Sequence, residues 1–290
     1  MTAAFDYPEA FKRNLGWVTE NEQQQLRTSR VAIAGLGGVG GGHLLSHARL
    51  GVGAFNIADL DHFELPNFNR QVGATMSHLG QPKLDVMTRM AHDINPELDI
   101  RTFPRGVTSE NLGQFLEGVD LYVDSLDFFA LEIRQQVFSE CARRGIPAIT
   151  AAPLGMGVAF LAFLPGRMSF EDYFLLAGQE STEQAIRFLI GLSPAMLQLK
   201  YLVNPERVNF GEREGPSTVM ACELCAGMAA TQSLKILLGR GEVICAPRGL
   251  HFDAYRNKFS TTWRPGGNRN PLQRLMLAVA RRRLGAQSGG

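Results

Sequence analysis

The chain has 290 residues, of which 45% are hydrophobic and 20% are charged, as is ordinary for a folded globular protein. The 29 lysines and arginines against 28 aspartates and glutamates leave a net charge of +1, so we expect neither nucleic acid nor a membrane as partner. Four cysteines are too few for a disulfide framework, and no segment has the pattern of a signal peptide or a membrane span. These features predict a cytoplasmic protein.

Strand and helix patterns alternate through the first 150 residues. The apolar runs that predict strands lie at residues 30–34, 54–58, 99–103, 121–124 and 147–152. The helical patterns between them lie at residues 43–50, 83–95, 110–116 and 130–144. This alternation predicts an α/β fold with a Rossmann-like, mostly parallel sheet and helices on both faces.

Residues 168–215 interrupt the alternation and are interpreted as a helical insertion. Helical spacing occurs within it at residues 180–190 and 193–203. Because ligands of open α/β sheets collect at the carboxyl ends of the strands, we expect this insertion to shape the choice of substrate.

The C-terminal third resumes a regular pattern before it ends in a basic segment. A long helix is predicted at residues 217–238, and a terminal strand or hairpin at residues 249–259. We therefore assign residues 1–264 to one nucleotide-binding domain and residues 265–290 to a basic tail, either disordered or helical.

A glycine-rich loop follows the first predicted strand and opens a helix. Its glycines are Gly35, Gly37, Gly38 and Gly40. Such a loop lets backbone N–H groups approach a phosphate at a helix N-terminus. Asp59 and Asp61 end the second predicted strand, where one of them can accept hydrogen bonds from a ribose. This combination fits NAD as well as ATP.

Three further motifs follow in order. Residues 67–71 read NFNRQ, residues 80–83 read GQPK and residues 124–127 read DSLD. Together with the glycine loop and the DLD of residues 59–61, this order resembles the ThiF, MoeB and ubiquitin-activating family over most of the chain. The resemblance implies an ATP-dependent adenylyltransferase, in which a substrate carboxylate attacks the α-phosphorus to give an acyl-adenylate and pyrophosphate.

The resemblance also implies roles for single residues. Arg70 and Lys83 would clamp the triphosphate, and Asn67 would orient a phosphate or the arginine. Asp127 would hold magnesium. Each residue also has a structural interpretation, because a lone arginine or lysine is usually a solvated surface charge. Asn67 fits a turn after a proline, and Asp127 fits a helix cap.

Arg13 lies at about the family's distance from the first strand for an arginine that reaches into the partner subunit's site. The sequence around it, FKRN, departs from the usual pattern of the family, and an exposed helical arginine is the alternative. If the assignment holds, the active form is a homodimer.

The cysteines depart from the family's pattern of two CxxC pairs. Only one pair is present, Cys222 and Cys225, and a structural zinc site needs four ligands. Cys245 and His251 could complete such a set, but the pair opens a predicted helix, so we do not expect zinc. Cys222 could act as a nucleophile, yet a small buried residue explains it more simply.

The sequence leaves the substrate open. We expect a protein or peptide C-terminus, such as that of a small ubiquitin-like or carrier protein, or a small carboxylic acid. The alternatives are an NAD(P)-dependent oxidoreductase that uses the same glycine loop, and a catalytically silent partner subunit of another enzyme.

Overall fold

Eight strands form one sheet in the part of the chain that the computed structural model describes, which is residues 4–207 and 215–287. Their order across the sheet is β3-β2-β1-β4-β5-β6-β7-β8. The strands are β1 (Arg30–Ala34), β2 (Ala54–Ala58), β3 (Asp99–Phe103), β4 (Leu121–Asp124), β5 (Ala148–Leu154), β6 (Gly157–Phe163), β7 (Arg248–Asp253) and β8 (Lys258–Trp263).

Strands β1 to β5 run parallel, and β6 to β8 continue the sheet in antiparallel order. The mostly parallel sheet of the sequence prediction is thereby confirmed. The prediction lacked β6, although Pro153 and Gly155 interrupt the apolar run of residues 149–164. Gly155, with φ +63°, divides this run by turning the chain back on itself. Both β5 and β6 are therefore strands of one hairpin.

Ten α-helices flank this sheet in the described residues. They are α1 (Tyr7–Phe11), α2 (Glu20–Thr28), α3 (Gly40–Leu50), α4 (Lys83–Ile94), α5 (Leu112–Phe115), α6 (Leu131–Arg144), α7 (Phe170–Phe174), α8 (Ser181–Leu192), α9 (Val219–Leu238) and α10 (Pro271–Gln287). The side chains of β1 alternate between two hydrophobic cores. Val31 and Ile33 pack with α3, α4 and α9, whereas Ala32 and Ala34 pack with α5 to α8. Helices thus cover both faces of the sheet.

The inserted segment contains α7 and α8, and its predicted second helical stretch is wrong. Residues 193–203 hold only a short 3-10 helix (Leu197–Lys200). Pro194 follows Ser193 and keeps that residue out of the helical region, and Met196 has a φ of +45°. Residues 208–214 of the predicted insertion lie outside the described residues.

Three hydrogen-bonded contacts tie this segment to the sheet. The Tyr201 hydroxyl donates to Asp253 Oδ2 at 2.7 Å and accepts the Met156 N–H at 2.7 Å. Ser193 Oγ lies 3.0 Å from the Nδ1 atom of His251. Asp253 pairs with Gly157, so the first of these contacts lies at the carboxyl edge of the parallel strands.

The basic tail is helical over α10, which packs on α8. Leu277 is buried against Ile186 and Ile190, and Gln273 Nε2 donates to the Ile190 carbonyl at 3.1 Å. A domain boundary at residue 264 stays a prediction. None of the helices within the two described ranges is both long and apolar enough to cross a bilayer.

Candidate active site

The glycine loop lies at the switch point of the sheet, where β1 is flanked by β2 and β4. Gly35 has a φ of +88°, and a Cβ there would lie 2.4 Å from the Ser125 carbonyl oxygen. A Cβ on Gly40, the first residue of α3, would lie 1.8 Å from the Gly35 carbonyl oxygen. Only glycine therefore fits these two positions. They bring the loop against the turn that follows β4.

Gly37 and Gly38 have more space and lie beneath side chains. A Cβ on Gly37 would lie 3.7 Å from Gln71 Nε2, and one on Gly38 would lie 3.5 Å from Arg70 Nε. Cys222 Sγ would lie 3.6 Å from that same Gly38 Cβ. The structure therefore brings Arg70 to the glycine loop, as the phosphate prediction requires.

Asp59 is buried and holds the glycine loop in place. Its Oδ2 accepts the Leu36 N–H at 2.5 Å, and its Oδ1 accepts the Asp61 N–H at 2.8 Å. Burial raises the pKa of Asp59, and these two hydrogen bonds oppose the rise. Both oxygens are thus engaged with backbone. Ribose binding by either aspartate stays a prediction, and Asp61 is the more exposed of the two.

Lys83 lies beside Asp61 at the start of α4. Its Nζ is 3.1 Å from Asp61 Oδ2, and its backbone N–H donates to the Asp61 carbonyl at 2.9 Å. The lysine side chain is only 7% exposed, whereas that of Asp61 is 59% exposed. The cation is therefore fixed at the edge of the site by a carboxylate. Its contact with a phosphate stays a prediction.

The turn at residues 67–71 is organised by its own side chains. Asn67 Oδ1 accepts the Glu64 N–H at 3.0 Å, in line with the structural interpretation of a turn residue. Arg70 Nη1 donates to the Pro66 carbonyl at 3.0 Å and to Asn69 Oδ1 at 2.8 Å. The role of Asn67 in orienting a phosphate or the arginine stays a prediction.

The turn after β4 is built on a buried ion pair that sequence reasoning missed. Arg134 Nε donates to Asp124 Oδ2 at 2.9 Å, and the two side chains are 3% and 2% exposed. Arg134 Nη2 also donates to the carbonyls of Leu126 (2.6 Å) and Asp127 (3.1 Å). The DSLD motif drew attention to Asp124, but nothing in the sequence identifies Arg134, ten residues later, as the partner of its carboxylate.

Asp127 itself is exposed on this turn. Its Oδ1 accepts the Phe129 N–H at 2.9 Å. Helix α6 begins at Leu131 and is capped by Ala130 without a side-chain hydrogen bond. The alternative interpretation of Asp127 as that helix's cap is therefore wrong. Its carboxylate remains accessible at the loop's edge, and its role as a magnesium ligand stays a prediction.

Arg13 lies far from the glycine loop of its own chain. It is exposed in a 3-10 helix (Lys12–Asn14), and Asn14 Nδ2 donates to the carbonyl of Leu50, the last residue of α3. The loop lies at the other end of α3, whose 11 residues span roughly 16 Å. A contact of Arg13 with the site of its own subunit is not supported, and a contact with a partner's site stays a prediction.

Cys222 and Cys225 lie on the buried face of α9. Burial raises the pKa of the Cys222 thiol, and hydrogen bonding from Ser217 and the charge of Arg70 only oppose the rise. Within residues 4–207 and 215–287, no three histidine, cysteine, aspartate or glutamate residues are placed to hold a metal ion. His251 contacts Ser193 instead of this pair.

Two buried histidines lie four residues apart on α3 behind the loop, a spacing that could suit a metal pair but that packing and capping explain more simply. His47 donates from Nδ1 to the His43 carbonyl at 2.7 Å, and its Nε2 lies 2.8 Å from Ser233 Oγ. Both ring nitrogens of His43 are buried and lack a hydrogen-bond partner in the described part of the chain. Burial lowers the pKa of His43 to about 3, helped by the charge of His47. Burial likewise lowers the pKa of His47 to about 4.

Curated relatives match one part of this chain. A tRNA threonylcarbamoyladenosine dehydratase of Bacillus subtilis is 36% identical over 49% of the chain and 55% of its own length. A sulfur carrier protein ThiS adenylyltransferase of Escherichia coli is 32% identical over 49% of the chain and 56% of its own length. The chain therefore spans about half the length of the curated relatives it matches.

Solved structures share the fold over more of the chain. Escherichia coli MccB with ATP superposes with a TM-score of 0.64 at 20% identity, covering 83% of this chain and 65% of MccB. Escherichia coli TcdA, a tRNA N6-threonylcarbamoyladenosine dehydratase, gives a TM-score of 0.61 at 19% identity, covering 82% of this chain and 98% of TcdA. The sequence profile of the ThiF family matches residues 11–274, which is most of the chain. The chain belongs to the ThiF family.

Proposed function

We propose that this chain is an ATP-dependent adenylyltransferase that activates a carboxylate as an acyl-adenylate. One observation carries the proposal. Two motifs far apart in sequence, at residues 67–71 and 124–127, converge on the glycine loop at the switch point. Gly35 contacts the turn of Ser125, whereas Gly37 and Gly38 lie beneath Gln71 and Arg70. A dehydrogenase needs the glycine loop but not an arginine above it.

Two features of the site fit a bound nucleotide. The glycines beneath Arg70 and Gln71 leave their backbone within reach of a phosphate, and the helix that follows the loop favours negative charge. Gln71 Oε1 is buried and has no hydrogen-bond partner in residues 4–207 and 215–287. A ribose hydroxyl or an amino group of a ligand would satisfy this acceptor.

The residues of the site supply charge and position. A carboxylate is already ionised at neutral pH, so its attack on the α-phosphorus needs no general base. The obstacle is the repulsion between this anion and the triphosphate. Arg70 above Gly38 would offset that repulsion, and Lys83 would do so after exchanging Asp61 for a phosphate. Magnesium at Asp127 would add charge neutralisation.

We propose a protein or peptide C-terminus as the substrate class, with a small carboxylic acid as the alternative. Among the relatives, one adenylylates the sulfur carrier protein ThiS by its name, and MccB has been crystallised with MccA. The inserted segment lies at the carboxyl edge, tied there by Tyr201. This position at the carboxyl edge supports the proposal that the segment shapes the choice of substrate.

Nucleotide titration by calorimetry tests the proposal without knowledge of the substrate. We expect ATP to bind and NAD to bind far more weakly. Arg70→Ala should weaken ATP binding by roughly tenfold or more, because a charge-assisted hydrogen bond to phosphate is lost. Arg89→Ala is the matched control, since Arg89 is exposed on α4 and donates to Gln81. Tighter binding of NAD than of ATP would support an oxidoreductase instead.

Pyrophosphate exchange tests the chemical step, with the products of neighbouring genes offered as substrates. Asp127→Ala should abolish exchange, because the proposed magnesium ligand is lost. The variant should stay folded, because Asp127 is exposed and is not needed for the core. Unchanged exchange would show that Asp127 serves only its turn. ATP binding without exchange for any offered carboxylate would favour a silent partner subunit.

Homodimerisation is part of the proposal because Arg13 lies far from its own loop. Mixing Arg13→Ala with Arg70→Ala tests it. Heterodimers would contain one intact site, so activity lost in each variant should partly return. No recovery in a mixture that exchanges subunits would remove Arg13 from the site.

A further inference from the structure

An apolar groove lies between α9 and the antiparallel end of the sheet. Its volume is about 1010 Å³. Val219, Met220 and Leu224 of α9 form one wall, and Phe252 and Phe259 of β7 and β8 form another. Val219 is 47% exposed, Met220 45% and Phe259 57%. Exposed apolar side chains that line one continuous groove indicate an interaction surface.

Two carboxylates lie toward opposite ends of this groove. Glu223 lies in the second turn of α9, whereas Glu242 follows the end of that helix. Lys235 Nζ donates to the Glu242 carbonyl at 3.2 Å, which fixes Glu242 beside the last turn of α9. Positions 223 and 235 are roughly 18 Å apart along a helix. Among the described lining residues Lys235 is the only cation, so the groove is acidic as well as apolar.

Helix α10 presents an apolar stripe that no described element covers. Leu272 is 57% exposed, Leu275 62% and Val279 43%, whereas Leu277 is buried against α8. The three exposed residues are spaced by three and four, so they share the face opposite Leu277. The exposed Arg282 continues this spacing. The described residues give it no ion pair. The α10 stripe is therefore apolar with a free cation at its end.

The α10 stripe and the groove lie on opposite faces of the sheet. Leu224 and Met228 of the groove belong to the hydrophobic core that contains Val31. Helix α10 lies on α8, whose Phe188 belongs to the core on the other face. The sheet therefore separates the stripe from the groove of its own chain. Only another molecule can bring such a stripe to the groove.

We propose that the α10 stripe of a second copy occupies the groove, and that two copies do so reciprocally in a two-fold dimer. Leu272, Leu275 and Val279 fill the apolar lining, and Arg282 pairs with a carboxylate at one end. The stripe spans roughly 15 Å from Leu272 to Arg282, which fits between the two acidic ends. Complementary charge thus selects this occupant.

Two features of the molecule favour a closed, reciprocal arrangement. A Cβ on Gly227, in the middle of the α9 wall, would meet open space, so another helix can approach closely there. Each copy carries both a stripe and a groove, so a two-fold axis satisfies both and leaves neither exposed. Reciprocity also doubles the buried area toward the roughly 1,200 Å² of a specific interface. The interface includes neither Arg13 nor the glycine loop.

Sedimentation equilibrium of the full chain tests the proposal. We expect the parent to form dimers, and both Leu275→Glu and Met220→Glu to weaken association roughly tenfold or more, because each puts a carboxylate into an apolar contact. Both positions are exposed in the single chain, so both variants should fold, as circular dichroism would verify. Leu60→Glu is the matched control, because Leu60 is 66% exposed and follows β2, near the opposite edge of the sheet.

Mixing and charge reversal test the pairing of stripe with groove. A mixture of Leu275→Glu and Met220→Glu contains heterodimers with one intact contact, so it should associate more strongly than either variant alone. Arg282→Glu should weaken association, and adding Glu223→Lys or Glu242→Lys should restore it. Restoration by neither would overturn the charge pairing that selects α10 as occupant.

Three further outcomes would overturn the proposal. A parent chain that stays monomeric would leave the groove to a partner of another kind. Dimers that both variants leave unchanged would exclude this interface, while the homodimer of the proposed function would still stand. Growth of the parent into longer polymers would exclude the reciprocal arrangement. The assay contains neither ATP nor a carboxylate substrate, so its outcome is independent of adenylylation.

Discussion

The buried histidines of α3 should make the stability of the protein sensitive to mild acid. An unfolded chain protonates histidine near pH 6.5, whereas the folded chain holds His43 and His47 neutral down to pKa values of about 3 and about 4. Below pH 6.5 the unfolded state therefore binds more protons than the folded state. Stability is fully present above that pH and falls as the pH decreases toward 4.

The magnitude follows from the unfolded-state pKa of about 6.5, because both folded-state pKa values lie below pH 5. Between pH 7.5 and pH 5.0, each histidine should remove about 2 kcal/mol of unfolding free energy, because its unfolded form becomes almost fully protonated. Replacing His43 with methionine removes one of the two groups and also two buried ring nitrogens without partners. The part of the unfolding free energy that the two histidines remove on acidification should then fall by about half. Stability at pH 7.5 should stay equal or rise.

Urea unfolding followed by circular dichroism at pH 7.5, 6.5 and 5.0 measures this difference. His62→Gln is the matched control, because His62 is exposed and its substitution removes no buried ring. The control should show the same loss of stability on acidification as the parent chain. An identical loss in His43→Met and the parent would refute the reasoning.

Three further substitutions test the packing of the site. Gly40→Ala places a Cβ 1.8 Å from a backbone carbonyl oxygen, so ATP binding and thermal stability should both fall. Gly227→Ala is the control, because a Cβ there meets open space and should stabilise the folded protein by about 0.5 to 1 kcal/mol. Arg134→Met leaves Asp124 buried without its cation and should cost about 3 to 5 kcal/mol in urea unfolding, part of it restored by adding Asp124→Asn. Cys222→Ser should leave pyrophosphate exchange nearly unaltered, since the carboxylate is its own nucleophile. Loss of exchange with unchanged circular dichroism would contradict this.

The parts of the site that sequence could predict are those set by local chain geometry. A strand followed by closely spaced glycines and a helix has few possible conformations, so the position of Gly35 and Gly40 followed from the sequence. The parallel order of β1 to β5 followed from alternating strands and helices. The approach of Arg70 to the loop was expected only because the resemblance joined separate motifs.

The parts that sequence could not predict depend on contacts between distant residues. One of Asp59 and Asp61 was expected at a ribose, which stays a prediction, but the hydrogen bond of the Asp59 side chain to the Leu36 N–H was not foreseen. The pairing of Asp124 with Arg134 depends on how α6 packs against β4. The turn between β5 and β6 was not predicted, although Pro153 and Gly155 interrupt the apolar run, because both buried strands lack the alternation that marks a strand.

The attachment of the inserted segment has a consequence for how proteins of this architecture diversify. The segment departs after β6 and returns at α9, and its described contacts with the sheet include Tyr201 with Asp253 and Ser193 with His251. These anchors lie on β7, whereas the glycine loop follows β1, several strands away. If the segment shapes the choice of substrate, as proposed, substitutions between the anchors can alter that choice without straining the loop. New specificities could then arise by drift in one segment while the glycine loop stays unchanged.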